Sequence, residues 1–356
     1  MTKYLHEINA NFSNQTHLYS IGKSVQGREL WVLAISKNHP LSSLGKGYRH
    51  IKFVANIHGN EPVGKELLLR FIDYLFHSNG LKALDDVFSK VILHFLPSLN
   101  PDGFLRSRNI DNIGRENANG YDLNRNFPDY FQSNSYPMQP ETLAVINWLN
   151  EWPFVSSLSF HGGALVVNYP YDNKPEDVDI GYFAAPDDDI FRNISKVYSL
   201  NNPDIFNNLC DDSKNFTDGI TNGVDWYPVR GGMQDYNYIF KGVFELTVEI
   251  SCLHFPPSTL LQTFWDQNKP SLIEFLYSSL KGVSGFILNS QNLPVSNATI
   301  TLENRKHATY SSLFGEFWRL LLPGNYTLYI KANDHPIRNV SIRIPNEGHL
   351  SVNITL

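Results

Sequence analysis

The stretch NIHGNEPVG places His58 and Glu61 three residues apart, directly after the apolar run IKFVA. A third candidate, His161, stands in SFHGG, where a glycine follows the histidine as one follows His58. Two imidazoles and one carboxylate are the protein ligands typical of catalytic zinc, which keeps a fourth position open for water. On spacing alone another interpretation stays open, in which Glu61 caps a helix and both histidines are buried core residues. The three residues are therefore candidate ligands that the surrounding elements must bring together.

Predicted strands and helices alternate through most of the chain. Strand-like runs are GRELWVLAIS, HIKFVANIHGN, KVILHFLPSL, SSLSFHGG and VFELTVEIS; helix-like runs are EPVGKELLLRFIDYLF, ETLAVINWLNEW and NKPSLIEFLYSSLKG. This alternation predicts an α/β sheet covered on both faces, with the chemistry in loops at the strand ends. NPDG predicts a turn after one strand. Gly59 and Asn60 are expected to bend the chain tightly enough for His58 and Glu61 to face one metal ion.

The pattern changes after Gly282, where short period-two segments are separated by Gly, Pro and Asn. In NYTLYIKA, for example, Tyr326, Leu328 and Ile330 fall on one face of a strand. These features predict a second, all-β sandwich. We therefore expect two domains, residues 1–281 and residues 282–356.

Composition excludes several classes of protein. A hydrophobic content of 42% with 18% charged residues indicates a folded globular chain rather than a disordered one. The net charge of −6, without a long run of Lys or Arg, argues against nucleic acid as a partner. No stretch approaches the roughly 18–20 apolar residues that span a bilayer. A monomer is expected.

Asn-x-Ser/Thr sequons point to the secretory pathway, although the N-terminus lacks the pattern of a signal peptide. The sequons stand at Asn11, Asn14, Asn193, Asn215, Asn297, Asn325, Asn339 and Asn353. We expect a secreted or lumenal glycoprotein, anchored to a membrane only if a further segment supplies the anchor. The chain has two cysteines, Cys210 and Cys252, for which one bridge and two buried thiols are both allowed.

Six ordered motifs carry a resemblance to a known family. They are NIHGNEPVGKELLL, PSLNPDGF, GRENANGYDLNRNFPD, SFHGGALVVNYPYD, DGITNGVDWYPVRGGMQDYNY and FELTVEISC. In this order they resemble the zinc metallocarboxypeptidases of the carboxypeptidase A type, in particular the regulatory branch that contains carboxypeptidases N, E, M and D. The stretch GEFWRLLLPGNY resembles that branch's transthyretin-like sandwich. The resemblance implies a mixed β-sheet flanked by helices, followed by this small sandwich.

The resemblance also implies the catalytic groups. His58, Glu61 and His161 would bind one Zn²⁺ per chain, and Glu249 would be the general base. Alternation along VFELTVEIS puts Glu245 and Glu249 on the same face, so periodicity leaves both eligible and the family motif selects Glu249.

Substrate-binding residues are implied in the same way. Asn124 and Arg125 would hold the terminal carboxylate of the substrate, since a guanidinium fits a carboxylate bidentately. Arg115 would polarise the scissile carbonyl, and Tyr227 would close over the C-terminal residue. Outside the motifs, Arg115 would be interpreted as a surface arginine, Asn124 as a turn asparagine and Tyr227 as a hydrogen-bonded core tyrosine.

Specificity for basic residues follows from Asp172 and its companion Gln234, which stand where the regulatory branch binds a cation. Asp172 alone could also cap a turn. The expected reaction is removal of C-terminal Arg or Lys from peptides or proteins, without prior proteolytic activation. A disulfide between Cys210 and Cys252 is expected to tie the Tyr227 loop to the strand that carries Glu249.

Two other functions are weighed against this one. A relative that had lost catalytic groups would act as a binding or interaction module, and the intact set of site residues argues against it. A relative that trims acidic tails would need a basic pocket residue where Asp172 and Gln234 stand.

Overall fold

An eight-stranded mixed sheet forms the centre of the larger part of the protein, in a computed structural model that describes residues 1–107, 113–210, 215–333 and 335–356. Its strands are β1 (Thr16–Lys23), β2 (Glu29–Ile35), β3 (Arg49–Ala55), β4 (Val91–Leu96), β5 (Phe154–His161), β6 (Ala164–Tyr169), β7 (Ile220–Asn222) and β8 (Phe244–Ser251). Their order is β1-β2-β4-β3-β5-β8-β6-β7. The neighbours β4, β3, β5 and β8 are parallel, whereas β1, β2 and β6 introduce antiparallel pairs. The predicted α/β fold is confirmed.

Helices cover both faces of this sheet. They are α1 (Thr2–Asn11), α2 (Val63–His77), α3 (Gly80–Ala83), α4 (Asp85–Phe88), α5 (Pro101–Arg106), α6 (Pro140–Glu151), α7 (Asp188–Leu200), α8 (Pro203–Phe206), α9 (Gly223–Trp226), α10 (Met233–Lys241) and α11 (Leu261–Ser279). One apolar cluster joins α2, α7 and α11 to the sheet, and a second lies under α6 and α10. No described helix has the length and apolarity needed to cross a membrane.

Parallel pairing fixes which side chains can meet at the end of the sheet. Every residue of β3, β5 and β8 is buried, as expected for strands covered on both faces. In the ladder, Ala55 pairs with Phe160, and His161 pairs with Glu249. The carboxyl ends of the three strands are therefore level with one another.

The prediction of a plain turn at NPDG is wrong, because Pro101 opens the short helix α5. Asn100 caps that helix: its Oδ1 accepts a hydrogen bond of 2.9 Å from the Gly103 amide. Asn at the cap and Pro at the first helical position are helix-start signals as well as turn signals. The Asn100 Nδ2 also donates to the Ile57 carbonyl at 3.2 Å, which ties α5 to the segment that carries His58.

The remainder of the chain forms a β-sandwich. Its strands are β9 (Gly282–Leu288), β10 (Thr299–Leu302), β11 (Arg305–Tyr310), β12 (Glu316–Arg319), β13 (Gly324–Lys331), β14 (Arg338–Ile344), β15 (His349–Ser351) and β16 (Ile354–Thr355). One sheet has the order β11-β10-β13-β14, and in the other β9 pairs with β12, β15 and β16. Leu328 and Ile330 are buried on one face of β13, as the alternation predicts, and Tyr326 is partly buried.

A buried ionic cluster joins the sandwich to the larger part of the protein. Arg319 on β12 donates to both carboxylate oxygens of Asp187, at 2.7 and 2.8 Å. The same carboxylate accepts a hydrogen bond from the Tyr238 hydroxyl at 2.9 Å and lies 3.0 Å from His307 Nδ1. Burial opposes the charge of Asp187, but Arg319 and His307 hold the pKa of its carboxyl well below its usual range.

Arg319→Met should destabilise the whole protein. The substitution keeps most of the side-chain volume but removes two charge-assisted hydrogen bonds, which leaves a buried carboxylate short of a partner; such changes cost about 3–5 kcal/mol. Urea unfolding of the full chain measures the loss. The matched control is Arg338→Met at an exposed position on β14, which should stay within about 0.5 kcal/mol. Equal effects of the two variants would contradict this account.

Candidate metal and substrate site

His58, Glu61 and His161 meet at the carboxyl ends of β3 and β5. One potential ligand atom from each lies within 4.8 Å of the other two. Glu61 bridges the pair: its Oε1 lies 2.9 Å from His58 Nδ1 and its Oε2 lies 3.1 Å from His161 Nδ1. All three side chains are almost completely buried. Two nitrogens and one carboxylate converge on a single point, which fits the donor set of a catalytic zinc.

The segment that carries His58 is shaped by Asn56 more than by the residues expected to bend it. Asn56 has a left-handed φ of 60°, and its Nδ2 donates to the carbonyls of His58 and Gly59 at 2.8 and 3.0 Å. Gly59 is needed because the chain packs closely against the Gly103 backbone, and not because its φ is unusual. A Cβ at position 59 would lie 2.2 Å from the Gly103 backbone. The loop is thus held by one amide and pressed against α5.

Asp122, which the sequence interpretation missed, orients the first histidine. Its Oδ1 lies 2.9 Å from His58 Nε2, and on the other ligand Ser159 Oγ lies 3.3 Å from His161 Nε2. A polar partner on Nε2 leaves Nδ1 of each ring for a metal ion, and a carboxylate behind a histidine strengthens it as a ligand. Asp122 belongs to the quoted motif DLNRNF, two residues before Asn124, so the signal was present.

Glu249 is the carboxylate left free to act. Its Oε2 is buried and has no hydrogen-bond partner among the described residues. Burial and the nearby Glu61 raise the pKa of the Glu249 carboxyl. Glu245, the other eligible residue, forms a buried ion pair of 2.6 Å with Lys52 through its Oε2 and does not line the site cavity, although its Oε1 also lacks a partner among the described residues. The two glutamates on one strand face therefore have different environments, which periodicity alone could not distinguish.

Three cationic or amide groups line the next part of the site. Arg115 lies between two carboxylates, with Nε 3.0 Å from Asp122 Oδ2 and Nη1 3.2 Å from Glu61 Oε1. Asn124 Oδ1 accepts a hydrogen bond of 2.9 Å from the Met233 amide, which turns its NH₂ group away from Met233. Arg125 Nη1 donates to the Asn124 carbonyl at 3.0 Å. This arrangement presents N–H donors suited to a carboxylate.

Asp172 is buried and lines the same cavity. Its Oδ1 accepts hydrogen bonds from Asn168 Nδ2 at 2.8 Å and from Gln234 Nε2 at 2.9 Å. The carboxylate of Asp235 fixes the backbone, accepting from the Asp172 amide at 2.9 Å. Burial raises the pKa of the Asp172 carboxyl to about 7. Among the described residues no Lys or Arg forms an ion pair with Asp172, and the charge of Arg125 only partly offsets the rise in its pKa.

The rim of the cavity carries Tyr227, which follows α9 and is 43% exposed. A disulfide joins Cys210 to Cys252 with a Cα–Cα distance of 5.4 Å, so neither cysteine is a free thiol. Cys252 directly follows β8, the strand that carries Glu249. The bridge thus links that strand to the chain segment that precedes the Tyr227 loop.

A cavity of about 100 Å³ unites these groups. Of the residues singled out in the sequence, it is lined by His58, Glu61, Arg115, Asn124, Arg125, His161, Asp172, Tyr227 and Glu249. Gln234 lies behind Asp172 rather than on the surface of the cavity. The sequence interpretation missed Asn168, Thr247 and His254, which also line it.

The fold and this donor set are those of a zinc carboxypeptidase, and the chain belongs to the zinc carboxypeptidase family, whose model matches residues 1–271. A carboxypeptidase regulatory-like domain matches residues 282–356. Mouse carboxypeptidase M is 41% identical over 98% of this chain and 80% of its own length. Mouse carboxypeptidase D is 42% identical over 100% of this chain, which spans only 26% of that protein.

Other relatives extend the same picture. The human carboxypeptidase N catalytic chain is 36% identical over 97% of this chain and 81% of its own length. A crystal structure of thrombin-activatable fibrinolysis inhibitor has a TM-score of 0.65 at 18% identity, covering 77% of this chain and 72% of that one. That last likeness concerns the fold alone. The protein is accordingly a metallocarboxypeptidase that uses zinc.

Asp122→Asn should weaken zinc binding about 10- to 100-fold, because the amide supports His58 less strongly than a carboxylate does. Titration of the metal-free protein with zinc against a competing chelator measures the change. The control is Asp225→Asn, an exposed residue of α9, which should leave zinc affinity unchanged. Unaltered affinity in Asp122→Asn would show that the 2.9 Å contact with His58 has no such supporting role.

Proposed function

We propose that the protein removes a single C-terminal arginine or lysine from peptides and proteins. The observation that carries this proposal is the buried carboxylate of Asp172, which accepts from two neutral donors and forms no ion pair with any Lys or Arg that the structure describes. A basic substrate side chain would supply the missing positive charge. An apolar side chain would leave the carboxylate buried and unpaired, which is costly. The pocket therefore discriminates by charge as well as by shape.

Recognition of a chain end requires donors for a free carboxylate. Asn124 and Arg125 provide an amide and a guanidinium next to each other, on one wall of the cavity that Asp172 also lines. When the terminal carboxylate is held there, the side chain of the last residue is directed toward Asp172. The peptide bond before that residue, which is the scissile bond, is directed toward Arg115. Tyr227, on the rim, closes over the bound residue. Internal peptide segments lack the charge that this wall binds.

His58, Glu61 and His161 would hold the zinc ion, which when bound supplies an acidic water and polarises the scissile carbonyl. Glu249 is the proton carrier: its unpartnered Oε2 takes the proton and later gives it to the leaving amine. Arg115 stabilises the negative charge that develops on the carbonyl oxygen.

A binding or interaction module is the second candidate. It would bind peptides with basic C-termini without hydrolysing them. The free Oε2 of Glu249 beside the three ligand residues speaks against this alternative, since a pure binding site has no use for a base there.

The setting of the enzyme belongs to the same proposal. We place the catalytic domain at residues 1–281 and the sandwich at residues 282–356, and expect a secreted or lumenal monomer with glycans on some of its sequons. The disulfide between Cys210 and Cys252 supports an oxidising compartment. The sandwich supplies Arg319, which pairs with Asp187. None of its described residues lines the site cavity.

Peptides that are identical except for a final Arg, Lys, Phe or Glu test the reaction. Arg and Lys should be released, Phe and Glu poorly, and a zinc chelator should stop release. In Asp172→Asn the kcat/KM for Arg should fall by roughly 30-fold to several thousand-fold, which corresponds to a loss of about 2–5 kcal/mol of binding to the transition state. The matched control is Asp177→Asn, in the segment after Asp172, which should keep the wild-type preference. Preference for Phe, or cleavage that resists the chelator, would refute the proposal.

Glu249→Gln should bind zinc and an Arg-terminated peptide with near wild-type affinity while losing turnover by at least about 1000-fold, since the amide cannot carry the proton. Calorimetric titration measures peptide binding, and peptide release measures turnover. Glu245→Gln serves as the comparison, because Glu245 pairs with Lys52 and its loss should lower stability rather than abolish turnover. Near-normal turnover in Glu249→Gln would place the base elsewhere.

A further inference from the structure

We propose that His254 selects the substrate residue immediately before the scissile bond, favouring a side chain with a hydrogen-bond acceptor, such as Glu or Gln. This inference rests on the proposed function, because it concerns the penultimate residue of the peptide whose last residue is removed. His254 lines the same cavity as the metal ligands and Asp172. It is exposed, and among the described residues neither of its ring nitrogens has a hydrogen-bond partner.

The turn that carries His254 is held firmly at the end of β8. Ser251 accepts a backbone hydrogen bond of 2.7 Å from the Gly163 amide. Its Oγ donates to the Leu253 carbonyl at 2.6 Å, which closes the turn on itself. Between these residues stands Cys252, fixed by the disulfide. These two hydrogen bonds and the disulfide hold the backbone of the turn in place, and the turn presents the imidazole of His254 to the cavity.

Gly163 leaves the space that the His254 ring occupies. It has a φ of +118°, and a Cβ built on it would lie 2.6 Å from His254 Nε2. The ring therefore lies against the bare backbone of the β5–β6 connection, where any other residue at position 163 would displace it. Gly162, one residue earlier, donates its amide to Glu61 Oε2 at 3.2 Å. His254 therefore packs against the connection whose neighbouring residue, Gly162, binds the candidate metal ligand Glu61.

The direction of the substrate chain then identifies what His254 meets. In the proposed binding mode Arg125 and Asp172 hold the last residue of the peptide. We infer that the rest of the chain leaves over the connection that contains Gly162 and Gly163, which lines the same cavity. The side chain that precedes the scissile bond passes the imidazole there. An imidazole N–H offers that side chain a hydrogen bond, which a carboxylate or amide can accept and an aliphatic group cannot.

Peptides that end in Arg and differ only in the preceding residue test the inference. The series contains Glu, Gln, Leu and Lys at that position, and kcat/KM is measured for each. A single hydrogen bond contributes about 0.5–1.5 kcal/mol, so Glu and Gln should exceed Leu by roughly 2- to 12-fold in the wild type. His254→Phe and His254→Leu, which lack the donor, should bring this ratio to about 1, and His254→Gln should retain most of it.

The controls separate recognition from folding and from the reaction itself. Each variant's thermal unfolding is compared with the wild type, and His6→Phe on α1 should keep the wild-type ratio, since Phe can replace the ring contact with Trp31. An unchanged ratio in both His254→Phe and His254→Leu would overturn the inference, as would a wild-type ratio near 1. Wild-type protein that releases no Arg from any peptide would refute the proposed function, and this inference with it.

Discussion

The parallel register of β3, β5 and β8 is the constraint on which the site depends. His58 and Glu61 follow one strand, His161 ends the second, and Glu249 stands opposite His161 on the third. A slip of one residue in any of these pairings would turn one of these groups to the opposite face of the sheet. The buried faces of these strands oppose such a slip, because it would move buried polar side chains such as Lys52 and Glu245 into the apolar layer on the opposite face. Catalytic geometry is thus a by-product of core packing.

The site contains buried carboxyl groups that form no ion pair with any described residue. Asp172 and Asp235 lie close together under burial that raises the pKa of both carboxyls, and Glu249 keeps an unpartnered oxygen. Elsewhere several buried charges are paired, as Lys52 is with Glu245 and Arg319 is with Asp187. The paired carboxylates stabilise the sheet. The unpaired carboxyl groups of the site are instead available to bind a substrate cation or to take up a proton.

Local sequence was sufficient for the layout and for most of the site. Alternating strand and helix patterns predicted the sheet, the change after Gly282 predicted the sandwich, and the motif resemblance supplied the residues that line the cavity. The failures were local ambiguities, such as NPDG, whose Asn and Pro serve a helix start as readily as a turn. Asn56 was missed because no pattern specifies which of several small residues takes the left-handed conformation.

Other features depend on partners far apart in the chain and were out of reach. Arg319 and Asp187 are separated by 132 positions, and the ring of His254 is placed by a bare glycine on another strand connection. Neither pairing leaves a periodic signal. The free oxygen of Glu249, against the paired Glu245, likewise emerges only when Lys52 is brought to the neighbouring strand by the fold.

The contact between Arg319 and Asp187 also bears on how the two parts of the chain can evolve. Asp187 is the residue directly before α7, and it lies at the end of the segment that leaves Asp172. Without the sandwich, that carboxylate would lose Arg319, Arg305 and His307 together. Any change that separated the sandwich from the enzyme would therefore break several buried ion pairs at once. The accessory domain thus contributes to the stability of the enzyme whether or not it ever binds anything.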